Sequence, residues 1–262
     1  MKPFFFGPPS RQLFGIFHDA ICGGAAQGAV LVCGPFGQEA IQAHRILRAL
    51  ATRLGKVGYQ ALRFNYFATG DSAGECEEGS QSQWVADVHA AHLELVRLSG
   101  ASRIAWVGLR YGASLATLAA SSIPSDLSEL VLWDPVVHGS AYLTELSESH
   151  AAFMQADLPG WKAPLSQTEA LGFPISASLA ADFRALDLTA NGAVRARHVT
   201  LVRSQPETSF ADFERSLAGS GVSSESVLID TGATWKSEEA MNTFYVPVNV
   251  LNAVVSRIQG AP

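Results

Sequence analysis

The chain has 262 residues, of which 48% are hydrophobic and 16% charged, with a formal net charge of −6. This composition excludes a disordered protein and suffices for one large α/β domain with a full core. The acidic balance argues against nucleic acid or an anionic membrane surface as a partner, and no apolar run approaches the roughly 20 residues that cross a bilayer.

From the N-terminus, Phe4-Phe5-Phe6 and residues 12–17 read as two strands joined by a turn at Pro8-Pro9. The apolar patch is cut off by Gly7, too short for the core of a signal peptide. Residues 28–33 form a continuous apolar run, suited to a strand buried on both faces. A turn-rich loop, Gly34-Pro35-Phe36-Gly37-Gln38-Glu39, follows it. Residues 44–55 carry Ile46, Leu47, Leu50 and Leu54 at helical spacing. Residues 60–66 read as a strand, 68–74 as a loop and 82–98 as a helix with Trp84, Val88, Ala91, Leu95 and Leu98 on one side. Strands are expected over 103–107 and 129–134, with a helix over 113–120 between them.

The alternation stops after Val136. Residues 138–191 show no strand pattern and read as helices over 141–156 and 176–188, with Ser176 as an N-cap. Inserted between two strands, this stretch is expected to cover the sheet as a helical cap within a single domain spanning 1–262. Alternation resumes with a strand over 198–202, a helix over 209–218, a strand over 226–230 and a last helix over 246–258. Cys22, Cys33 and Cys76 are odd in number and form no C-x-x-C pair. They point to a reduced, cytoplasmic protein without structural zinc.

Alternating strands and helices predict an α/β fold with a mostly parallel sheet, helices on both faces and an opening hairpin. Ligands collect beyond the carboxyl ends of such strands. The loops at Phe36, Asp71, Arg110 and Asp134 should therefore share one rim. The stretch Gly108-Leu109-Arg110-Tyr111-Gly112 has the glycine spacing of a nucleophile elbow, G-x-S-x-G, in which small residues let strand and helix approach closely. Its central residue is an arginine, whose guanidinium stays protonated and cannot attack.

Several stretches together resemble the α/β-hydrolase superfamily. They are the 34–39 loop with His44-Arg45, Leu62-Arg63-Phe64-Asn65-Tyr66, Gly70-Asp71-Ser72, the 108–112 elbow and Leu132-Trp133-Asp134-Pro135-Val136. More narrowly the chain resembles the serine-aminopeptidase-like group that includes exosortase-A-system-associated hydrolases, which implies a bacterial export, polysaccharide or secondary-metabolite setting. The resemblance implies an oxyanion hole from the backbone N–H of Tyr111 and of a residue near Phe36. It puts the catalytic histidine within 231–237, where Trp235 stands and no histidine occurs. It puts the acid at Glu207, or at Asp134 by analogy with members that supply it there.

Acyl transfer needs a nucleophile, a base and an orienting acid. With Arg110 at the nucleophile position, two functions are expected. One is a hydrolase-like binder of an anionic or acyl-bearing small molecule, or an assembly component, with Arg110, Phe36, Gly37, Glu39, Tyr111 and Trp235 around the ligand. The other is an acyl hydrolase or transferase using a displaced set built on Asp134 and His138, with Ser72, Ser114 or Cys33 as nucleophile. Arg110 itself either receives an anion at the start of a helix or pairs internally with Asp134 or Glu39. No cofactor, metal, nucleic acid or membrane is expected; a second copy of the chain or another protein stays open as a partner.

Overall fold

The computed structural model describes residues 1–21, 25–123, 126–158, 160, 168–190, 194–204, 208–230, 235 and 246–260. Cys22, Trp161, Glu207 and most of the 231–237 segment lie outside them.

The chain opens with an antiparallel hairpin, β1 (Lys2–Phe6) and β2 (Leu13–His18). A 3-10 turn, Pro9–Arg11, joins them, as the fixed proline φ favours. The apolar run forms β3 (Gly28–Cys33), buried throughout. Helix α1 (Gln38–Lys56) starts six residues before the expected position, because Gly37 at φ 62 turns the chain directly from the loop into the helix. β4 (Tyr59–Phe64) and α2 (Gln81–Ser99) follow. Ser80 caps α2 by accepting from the Gln83 N–H, and Gly100 closes it in the left-handed conformation, the usual signals for start and stop.

The elbow strand is β5 (Ile104–Leu109), leading through Arg110 into α3 (Tyr111–Ala120). β6 (Glu129–Trp133) comes next. The 138–191 stretch contains α4 (Gly139–Asp157) and α5 (Ala177–Ala185), the latter capped by Ser176. It also holds a two-stranded hairpin, β7 (Glu169–Ala170) and β8 (Phe173–Pro174), which two-residue strands leave no periodic pattern to betray. β9 (His198–Arg203), α6 (Thr208–Gly219), β10 (Ser223–Leu228) and α7 (Val248–Gly260) complete the described elements. β10 sits three residues earlier than its apolar run suggests. It is the last strand of the sheet, paired with β9 alone, and its register is set by the match of Ser223 to His198.

The eight strands run in the order β1-β2-β4-β3-β5-β6-β9-β10, parallel from β4 onward. One core layer lies between the sheet and α1 and α7, and a larger one on the opposite face with α2 and α3. Cys33 pairs in register with Gly108, and Leu109 with Trp133. The carboxyl ends of β3, β5 and β6 therefore finish level, and the loops after them meet. Among the described residues no helix is long and apolar enough to cross a membrane.

Two glycines make the elbow possible. A Cβ on Gly112 would stand 2.1 Å from the Gly34 carbonyl oxygen, and one on Gly108 2.4 Å from the Ala113 Cα. Backbone thus packs directly on backbone where β3, β5 and α3 converge.

Candidate functional site

Arg110 sits at the top of this turn with φ 53 and ψ −125, a conformation costly for any residue with a Cβ. Its backbone is pinned by the N–H donating to the Trp133 carbonyl at 2.9 Å. The residue is 8% exposed. Nε donates to Glu39 Oε1 and Nη2 to Glu145 Oε1, both at 2.8 Å. Glu39 lies in the first turn of α1, and its other oxygen accepts the Tyr142 hydroxyl at 3.0 Å. Tyr142 and Glu145 are three apart on α4, hence on one helix face.

Burial works against the Arg110 charge, but the two carboxylates outweigh it and raise its pKa. Burial pushes the Glu39 carboxyl above its ordinary range, while Arg110 and the Tyr142 hydroxyl pull it back. The guanidinium is thus neutralised from within, by carboxylates on two helices. It lies 5.5 Å from the Tyr142 ring centre and 5.9 Å from that of Trp235, within cation–π range.

Asp134 directly follows β6, with φ 44, and is buried. It does not pair with Arg110. Oδ1 accepts the Ser204 backbone N–H at 2.7 Å, and Oδ2 accepts the Trp235 indole N–H at 2.8 Å. Trp235 therefore spans from the Asp134 carboxylate to the face beneath Arg110. In a Ser-His-Asp triad an imidazole makes that span, donating to the acid and accepting from the nucleophile. Indole has one polar atom, a donor. It can occupy the place and hold the acid, but it cannot take a proton.

The structure does not assemble the displaced set. His138 pairs through Nδ1 with Asp187 Oδ1 at 3.4 Å, while both Asp134 oxygens have the partners just named. Ser114 is buried and donates to the Val136 carbonyl. Ser72 donates to the Asn65 carbonyl and accepts the Phe14 N–H, locking its turn. Cys33 is fully buried, and burial pushes its thiol up to about 12, far from the thiolate a nucleophile requires.

Tyr111 is the first residue of α3, where a backbone N–H has no intrahelical acceptor. Its ring stacks on Tyr142 at 5.9 Å, and its hydroxyl donates to Gln81. Phe36 packs its ring among Trp84, Phe173 and Phe183. Gly37 caps α1. Beside Glu39, Glu145 and Trp235 only about 30 Å³ of space remains, room for about one water.

The larger space lies on the other side of the 34–37 loop. A cavity of about 660 Å³ runs between the start of α1, the ends of β2 and β4 and the loop after β4. Arg63 of β4 and His44 and Arg45 of α1 line it. Sequence reasoning gave no role at a site to Arg63, Glu145 or His18. The available signals were an arginine in an apolar strand and a Tyr–Glu pair at i, i+3.

His18 is buried and accepts from Arg63 Nε at 3.2 Å. Burial, then Arg63, lowers its pKa from 6.5 to about 4. The folded protein therefore binds fewer protons than the unfolded chain between these values. Stability is full above pH 6.5 and falls as pH drops toward 4, by about 3 kcal/mol at most from this group. Denaturant unfolding at pH 7 and pH 4.5 should show His18→Gln losing less stability than the wild type; equal losses would clear His18 of the effect.

No protein-family model and no curated protein matches the sequence. Solved structures do match. Est1E from Butyrivibrio proteoclasticus, with ferulic acid bound, is 15% identical, with 98% of each chain covered and a TM-score of 0.71. A thermostable carboxyl esterase from Bacillus coagulans is 12% identical over 99% of this chain and 98% of its own, TM-score 0.67. Alpha/beta hydrolase domain-containing protein 10 from mouse is 16% identical over 99% of both, TM-score 0.61. At such identities the likeness speaks to architecture, and the mostly parallel eight-stranded sheet with helices on both faces agrees with it: this chain has the α/β-hydrolase fold.

Proposed function

We propose that this chain is a hydrolase-like protein that has given up ester cleavage at the elbow and works by binding an anionic or acyl-bearing small molecule or by taking part in an assembly. The observation carrying this reading is the Trp235 indole N–H on Asp134, with the Arg110 guanidinium over its ring. Cation, indole and carboxylate stand where nucleophile, base and acid would be expected. A protonated guanidinium does not attack a carbonyl, and indole does not accept its proton. Arg110 is also not the ligand's anchor, since Glu39 and Glu145 already hold it. In this reading the 138–191 stretch serves as a cap whose Tyr142 and Glu145 close the former site. By the resemblance of its motifs, the protein would act in the bacterial cytoplasm, in an export, polysaccharide or secondary-metabolite pathway.

The test is labelling with a fluorophosphonate probe alongside turnover of p-nitrophenyl butyrate. No serine should be labelled stoichiometrically, and hydrolysis should stay at the no-enzyme background. Either a labelled serine or saturable turnover would refute the proposal.

A further inference from the structure

Arg63 is 8% exposed and lines the 660 Å³ cavity. It projects from β4, where it faces Val32 of β3 and Ile16 of β2 in register. Its Nε is used by His18, the one hydrogen-bond partner it has among the described residues. No described carboxylate forms an ion pair with it. The charged groups around it are Arg48, Arg45 and His44 of α1, with Asp71 exposed at the cavity rim. His44 has its pKa lowered by burial and then by Arg63, Arg48 and Arg45, which reports a positive field. Burial and then Arg48 bring Arg63 down to about 10, so it remains a cation at neutral pH.

A buried cation without a carboxylate costs stability. Contrast Arg110, equally buried but clamped by two acids. On the α1 face of the sheet, where Arg63 lies, the cavity is lined by the apolar Phe14, Ile16, Val32 and Leu47; Phe64, Tyr66, Trp84 and Phe173 line its part beyond the end of β4. Ile41 stands at the mouth, 61% exposed. Gln42, also in the wall, has a buried side-chain oxygen with no partner among the described residues; its amide can turn either oxygen or NH₂ to the cavity. The volume lies in the range of small-molecule sites, which combine apolar walls with a few convergent polar groups.

We infer that this cavity binds an amphiphilic carboxylate, its head held in a two-pronged contact by Arg63 Nη1 and Nη2 and its apolar body lying among Phe14, Ile16, Ile41 and Leu47 on the same side of the sheet. The inference rests on the binding role proposed above and names the ligand class, but it is tested separately from the loss of cleavage. With Nε engaged by His18, the guanidinium is fixed in plane and its two terminal nitrogens are left for a planar anion.

Isothermal titration of the full-length chain with decanoate, below its micelle-forming concentration, is compared with neutral decanamide of the same shape. Decanoate should bind at least ~10-fold more tightly, the scale of a charge-assisted pair. Arg63→Met should lose that ~10-fold preference while binding decanamide as before, and its melting temperature should hold or rise, because a buried unneutralised charge has gone. A purely structural arginine would instead lower the melting temperature on substitution. Should Arg63→Met fail to fold, the wild-type ratio and Arg63→Lys decide; lysine should keep part of the preference. Equal affinity for decanoate and decanamide, or no wild-type binding of decanoate at millimolar concentration, overturns the inference. Cleavage of p-nitrophenyl decanoate together with an Arg63-dependent decanoate affinity would refute the non-cleaving role and support this site.

Discussion

Arg110→Met is expected to destabilise the protein by about 3–5 kcal/mol, the cost of removing one member of a buried ion pair. The substitution leaves the Glu39 carboxylate in the interior without its cation and facing Glu145. It also removes the tie between α1 and α4 that runs through the guanidinium. Methionine fills much of the volume, so the loss reports charge rather than packing. Adding Glu39→Gln and Glu145→Gln should recover most of the stability, since neutral amides need no counter-ion. The deficit of the single variant should also shrink at pH 5, where a carboxyl raised by burial and a like charge takes up a proton. Urea unfolding at the two pH values measures both effects. A loss below about 1 kcal/mol would mean that the Arg110 cluster does not hold the helices together.

The second large effect is a gain of activity. Arg110→Ser alone should remain inert, because the serine would face an indole that cannot accept its proton. Combined with Trp235→His, and with Glu39→Gln and Glu145→Gln to avoid stranded charges, it should cleave p-nitrophenyl butyrate and react with a fluorophosphonate probe. The elbow backbone is already at φ 53. Asp134 already accepts an N–H from residue 235, and in this variant Tyr111, first residue of α3, would turn its backbone N–H to the oxyanion. An imidazole donating to Asp134 would complete the set. The expected gain over the variant lacking the histidine is on the order of 10³-fold, a modest share of what a full triad supplies. A quadruple variant that folds, by circular dichroism, yet shows neither labelling nor turnover would mean that Trp235 does not occupy a base-like position.

Most of the architecture can be read from periodicity, because buried strands such as residues 28–33 and amphipathic helices such as 82–98 carry their burial in their spacing. The errors fall where a single backbone angle or an edge decides. α1 begins at Gln38 because Gly37 takes a positive φ, which a Gly-Pro-Phe-Gly stretch does not distinguish from a loop. β10 pairs on one side only, so its apolar run does not settle its register. At the site, Arg110, Glu39 and Asp134 could be placed on one rim, since each follows the carboxyl end of a strand. Which acid meets the arginine could not be read. That choice depends on Trp235 standing over Asp134 and on α4 presenting Glu145, and both are matters of packing between distant segments. Arg63 was given no role of its own because an arginine inside a strand is usually taken for a side chain reaching solvent.

The contact between Gly112 and the Gly34 carbonyl, and between Gly108 and Ala113, bears on how turns of this type are interpreted. These contacts let two main chains nest, and the strained angle at Arg110 is what joins them. An unusual dihedral here is upheld by close-fitting peptide planes, whatever side group rides on it. Such a bend can therefore stand without the nucleophile that its spacing leads one to expect, and its presence in a chain is a record of assembly rather than a warrant for chemistry.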